Sequence, residues 1–169
     1  MALPRKLKNF ATFKDGLNFM GEIPEVTLPT LTRQMEGYRS GGMNAPIKQD
    51  FGMEELTAEI KAAGFMSDLF SGFGAGRHDA TMLRFAGAIQ GDDTEAVQAV
   101  EAVMRGRISE IDMGSAKAGE GTEHTYKYEL SYYKLVIDGQ VVLEVDILNM
   151  VEVVNGVDNL SATRAALGV

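Results

Sequence analysis

Cysteine is absent from the 169 residues. That excludes disulfide frameworks and zinc-thiolate sites, so stability has to come from burial or from assembly. Histidine is scarce, with only His78 and His124. Each reads as standing alone in a polar stretch, and no i, i+4 histidine pair of a zinc-hydrolase motif exists. Basic residues are outnumbered, 16 Lys and Arg against 24 Asp and Glu, for a formal net charge of −8. Such a surface repels phosphates and argues against a dedicated nucleic-acid interface, which needs clustered cations. No apolar run approaches the roughly 20 residues of a membrane-spanning helix. Arg5, Lys6 and Lys8 have no hydrophobic stretch behind them, so the N-terminal segment does not read as a signal peptide, and cytoplasmic synthesis is the expectation.

Enzymatic motifs are equally sparse. Gly-x-Ser-x-Gly does not occur, which leaves a Ser-His-Asp arrangement without its usual strand-to-helix elbow. Gly114-Ser115-Ala116-Lys117-Ala118-Gly119-Glu120 imitates a phosphate loop. It places Glu120 where lysine must meet the phosphates, and a carboxylate there would repel them. Gly72-Phe73-Gly74-Ala75-Gly76 follows a predicted helix rather than a strand, which is the wrong context for dinucleotide binding. Asp92, Asp93 and Glu95 lack the ligand spacing of a calcium loop and read as a solvated turn. No cofactor or metal is expected.

What the chain does contain is glycine, 19 residues of it, and alternation. Val141, Leu143, Val145 and Ile147 alternate with Val142, Glu144 and Asp146, the period of a half-buried strand. Asp138-Gly139 joins that run to Tyr132–Ile137 and is a strong hairpin signal. The preceding strand begins near Thr125, with Tyr126, Tyr128, Leu130 and Tyr132 expected on one side. Residues 96–108 form another predicted strand, with Val100, Ala102, Met104 and Ile108 opposite Glu101, Val103, Arg105 and Arg107. Residues 53–62 are rich in helix formers. Yet Leu56, Ala58, Ile60 and Ala62 alternate strictly with Glu55, Thr57, Glu59 and Lys61, which predicts a strand in spite of propensity. Residues 26–36 are a fourth strand, interrupted at Pro29. A short helix is expected from an N-cap at Ser67, with Leu69, Phe70 and Phe73 as its apolar side. A second is expected over 159–167, stopped by Gly168.

These strands share one apolar face and one face of mixed charge and hydroxyl. A sheet with one solvated side accounts for this in an ordinary domain. Long strands in a small domain also leave unpaired edges that invite another chain. Identical copies arranged head to tail would close such edges into a ring-shaped barrel whose polar face lines a channel. The channel-facing candidates are then Glu36, Glu55, Glu59, Lys61, Glu101, Arg105, Arg107, Lys127 and Glu129, with acids offsetting bases so that the wall is neutral to negative. Residues 37–50 read as an extended inter-strand contact loop. Tyr38, Arg39, Met43 and Asn44 are its candidates for touching another subunit.

Five segments carry a resemblance that runs nearly the whole length in order. They are Pro4-Arg5-Lys6-Leu7; Val26-Thr27-Leu28-Pro29 with Leu31-Thr32; Glu36 through Asn44; Met104-Arg105-Gly106-Arg107 with Glu110-Ile111-Asp112, Gly114 and Lys117-Ala118-Gly119-Glu120; and Val154-Asn155-Gly156-Val157-Asp158. Together they resemble the major tail tube proteins of contractile-tailed phages and of R-type tail-like bacteriocins. The resemblance implies a mainly β fold, a single domain over 1–169 with two packed antiparallel sheets in a sandwich or barrel-like arrangement. One short helix would flank them, and long hairpins would complete an inter-subunit barrel. It further implies hexameric rings stacked inside a contractile sheath, in a virion tail assembled in the bacterial cytoplasm. The implied partners are other copies of the chain, the sheath protein, the baseplate or tube-initiator protein and the tail terminator, with DNA passing through unbound. A tube of a tail-like bacteriocin or of an effector-delivery system shares these features. A small enzyme with an acidic cleft is the alternative of a different class.

Overall fold

The computed structural model describes residues 3–169. Strands β1 (Lys6–Lys14), β2 (Leu17–Asn18) and β3 (Glu25–Thr27) come first, followed by β4 (Arg33–Tyr38), β5 (Ile47–Met53) and β6 (Leu56–Ala62). After helix α1 (Ser67–Phe70) come β7 (Thr81–Gln90), β8 (Val97–Asp112), β9 (His124–Ile137) and β10 (Gln140–Asp146). The chain closes with β11 (Val151–Val154), β12 (Val157–Asp158) and α2 (Ser161–Leu167). Ten strands form one antiparallel sheet in the order β12-β11-β10-β9-β8-β7-β1-β2, with β6 also on β9 and β3 on β6. The remaining pair, β4 and β5, stands apart as a hairpin.

The mainly antiparallel β architecture expected from the sequence is what the chain forms. The β2 end of the sheet and the β3–β6 branch are tied by chain connectivity. Residues 19–24 lead from β2 to β3, Phe19 N–H donates to Thr12 O at 2.9 Å and Ala63 N–H to Glu22 O at 3.0 Å. Phe19 and Ile23 of that bridge are buried in the core with Leu56, Ile60, Leu83, Met104, Tyr126 and Tyr128.

Turn chemistry fixes the register. Asp138 (φ 52°) and Gly139 (φ 78°) adopt the left-handed conformations of a type I′ hairpin turn, as expected. Asp15-Gly16 and Asn155-Gly156 use the same device between β1 and β2 and between β11 and β12. Alternation prevails over helix propensity in β6, whose Leu56, Ala58, Ile60 and Ala62 are all buried.

Several expectations are corrected. Residues 26–36 are not one interrupted strand. Leu28, Pro29 and the following residues carry the chain away from β6, so β3 ends at Thr27 and β4 begins in a different sheet. Proline has no N–H to give a ladder. Residues 37–50 are not an extended loop: β4 runs to Tyr38 and β5 resumes at Ile47, leaving a short tip. Tyr132 does not share a side with Tyr126, Tyr128 and Leu130. An extra residue at Ser131 sits between the Arg105–Tyr132 and Gly106–Leu130 pairs, so Tyr133 takes the inward place. β8 extends to Asp112, past the expected Ile108.

Helix α1 is a single turn with Met66, not Ser67, at its N-cap. It buries Leu69 alone, leaving Phe70 and Phe73 exposed. The final helix starts at Ser161, two residues later than expected, and ends as expected on left-handed Gly168. His124 is not in a polar setting. It is buried at the start of β9, edge-on to Phe65 at 4.5 Å.

Candidate assembly surfaces

Two surfaces emerge from this frame. The first is the sheet face turned away from the core. Directly opposed residues of an antiparallel ladder point to the same side. The pairs Glu59–Lys127, Thr57–Glu129 and Lys61–Thr125 join β6 to β9. Arg107–Glu129, Glu110–Lys127, Arg105–Tyr132 and Glu101–Val136 join β8 to β9. Register therefore gathers Glu59, Lys61, Glu101, Arg105, Arg107, Lys127 and Glu129 onto one face. Two candidates do not join them. Glu36 lies on the separate hairpin, paired with Gln49, and Glu55 precedes the ladder of β6.

Three cations of this face are matched by acids. Arg84 meets Glu101 at 2.7 Å, Lys61 reaches Glu25 at 3.3 Å and Glu123 at 3.7 Å, and Lys127 lies 3.8 Å from Glu129. The hydrogen bond to Glu25, followed by the charge of Glu123, raises the Lys61 ammonium above its ordinary value. Arg105 stacks over Tyr132 at 5.4 Å. Burial, reinforced by a 2.9 Å hydrogen bond donated to Glu144, pushes the Tyr132 phenol up to about 12. The face therefore mixes paired charges with two exposed guanidinium groups on β8, Arg105 and Arg107, that make no ion pair among the described residues.

The second surface is the hairpin. Every residue of β4 is exposed, as are Ile47–Phe51 of β5. Its tip brings Tyr38, Arg39, Met43 and Asn44 together. Arg39 Nε–H donates to Met43 O at 3.2 Å, Met43 N–H to Ser40 O at 3.2 Å, and Gly42 turns through φ 84°. Among the described residues, the hairpin's side-chain bonds to the body lie at its base. Arg33 is paired with the buried Glu152 of β11 and lies 3.5 Å from Asp50. Asn159 donates to the same Glu152 carboxylate at 3.0 Å. Sequence reasoning missed Arg33 and Glu152, because nothing local marks two residues 119 positions apart as partners.

Beneath the opposite face, Lys14 is 1% exposed and donates from Nζ to Asp68 O at 2.6 Å and Ser71 O at 2.7 Å. Burial lowers its pKa, against the opposing pull of Asp15 and Asp68. The hydroxyls of Thr12, Thr81, Tyr126 and Tyr128 are buried without a hydrogen-bond partner among the described residues. Among the described residues, no group of three or more acidic or histidine side chains is placed to hold a metal.

Residues 4–168 match the family described as phage tail tube protein FII. The tail tube protein of Escherichia phage P2 is 44% identical across all of this chain and all of its own length. The major tail tube protein of Serratia phage KSP20 is 42% identical over 89% of this chain and 88% of its own. Among solved structures, the fold resembles a chain of the anti-feeding prophage tube-terminating cap, with a TM-score of 0.61 and 10% identity. That match covers 80% of this chain and 93% of the other. A chain of an extracellular contractile injection system sheath–tube complex in the extended state gives 0.57 at 10% identity, over 79% and 90%.

Proposed function

This chain belongs to the phage tail tube protein FII family, and we propose that its copies close into hexameric rings that stack as the inner tube of a contractile tail. It is a structural subunit of a virion tail, not an enzyme with an acidic cleft. The observation that carries the ring-and-tube reading is the β4–β5 hairpin. A two-stranded ribbon with both sides in water is marginal alone, and its open edges are templates for another strand. A neighbouring copy completes it. The hairpins and the outward face of β6, β9 and β8 then form a continuous wall around a channel, and Glu59, Lys61, Glu101, Arg105, Arg107, Lys127 and Glu129 line it.

A wall that interleaves acids with bases suits a conduit for DNA, which passes without being gripped. The sheath protein surrounds the tube, a baseplate initiator starts it and a terminator ends it, all within the host cytoplasm before release. Electron microscopy of the purified protein tests the reading. Rings or hollow rods are the expected result, and a sample that stays monomeric at high concentration overturns it.

A further inference from the structure

Where the hairpin meets the body, a cleft of about 370 Å³ opens between the end of β5 and the β10–β11 turn. Its wall is apolar, with Met53, Ile147, Met150 and Leu160, and its rim is acidic, with Glu54, Glu55 and Asp146. Glu54 and Glu55 are exposed and make no ion pair among the described residues. The only base there, Arg33, is already committed to Glu152 and Asp50.

The far end of the same hairpin has the opposite character. From Gly37 to Gln49 there is no acidic residue, although the chain as a whole carries −8. This stretch holds Arg39 and Lys48 beside Tyr38, Met43 and Ile47, and Tyr38 and Ile47 are 48% and 53% exposed. The tip cannot fill its own cleft. At about 3.3 Å per residue, Tyr38 stands roughly 17 Å along the strand from Arg33.

We propose that the basic, apolar hairpin tip of one copy seats in the acidic-rimmed cleft at the hairpin base of the next. This deepens the assembly reading above and rests on it. Apolar groups leave water on both sides, and the rim pairs Lys48 and Arg39 of one copy with Glu54 and Glu55 of the other. Charge complementarity of this kind sets partner and register more than raw affinity. Because tip and cleft are different surfaces of the same chain, the contact is heterologous and repeats from copy to copy.

The absence of cysteine makes the test direct. Ile47→Cys and Met150→Cys are prepared as separate single variants and mixed, assembled without any sheath protein, and treated with a short bis-maleimide. A covalent dimer that requires both variants and appears only in assembled material is the expected result. Tubes that form normally and give no dimer overturn the tip-in-cleft contact while leaving the assembly reading intact. Such a result would assign the cleft to another occupant, such as a sheath segment. Failure of the unmodified protein to assemble overturns both.

Should either cysteine variant fail to assemble, charge reversal decides. Lys48→Glu should raise the concentration needed for assembly about fivefold or more, and Glu55→Lys in the same chain should restore it. Equal behaviour of single and double variants overturns the contact.

Discussion

Lys14 shows at the scale of one residue how this protein uses a polar group in its interior. Its ammonium ties the single turn of α1 to β1 through the carbonyls of Asp68 and Ser71. Lys14→Met leaves those acceptors short of a donor. We expect a loss of about 1–2 kcal/mol in urea unfolding and earlier proteolytic cutting near Phe65–Gly76. Its pH dependence has a definite sign. Burial lowers the folded-state pKa below the ordinary lysine value, so between the two values the unfolded chain binds more protons. Stability therefore rises with pH across that window and levels off near pH 10; the rise should vanish in Lys14→Met. Gly106 is fixed by space rather than by φ. A Cβ there would lie 2.2 Å from Glu129 O, a backbone atom with little freedom to retreat. Gly106→Ala is expected to cost about 1–3 kcal/mol, seen as a lower Tm in calorimetry. Neither residue was legible as structurally important from its neighbours in sequence. Lys14 sits in a run that alternates like any edge strand, and Gly106 resembles any other glycine in a strand.

Among elements, β6, β8, β9 and β10 were readable from their alternation, whereas β1 and β7 were missed, β7 in spite of an unbroken ladder with β8. β6 could be placed from period two alone, whereas in β10 a register shift between Val141 and Leu143 leaves Val141 exposed and Ile147 lies beyond the strand. β9 could be placed too, but the extra residue at Ser131 reverses which side its later residues face, and a bulge has no fixed sequence signature. The hairpin β4–β5 escaped for a different reason. Both its faces are exposed in the single chain, so the burial that produces a clean alternation has no counterpart there. Replacing Arg39–Pro46 by Asn-Gly, a tight turn, should leave the body folded by circular dichroism. The same change should abolish tubes in micrographs. The C-terminal helix offers a pH test. The hydrogen bond from Arg164 lowers the Asp158 carboxyl below its ordinary value. Its contribution is complete above about pH 4 and is lost as pH falls through the lower folded value. Amide exchange in α2 should accelerate over that range while β9 stays protected.

For the molecule as a whole, alternation and turn chemistry specified a β protein with one face unlike the core. Seven of the nine sequence candidates for that face do share it in the structure, because β6, β8 and β9 pair in one register. Glu36 and Glu55 fell outside, because the alternation around them belongs to a hairpin and a connecting segment whose placement depends on contacts distant in sequence. The face has a consequence for transport. In the tube proposed above, Glu59→Lys together with Glu129→Lys makes the wall strongly basic, and tubes of this variant should retain a labelled oligonucleotide at low salt and release it near 0.5 M. Unmodified tubes should retain little at either. The hairpin also leaves the body in a single direction, anchored at one point by Arg33 and Glu152. An object stacked from such units has a front and a back that no rotation can interchange. The two ends of the stack proposed above would therefore present different surfaces to whatever binds them.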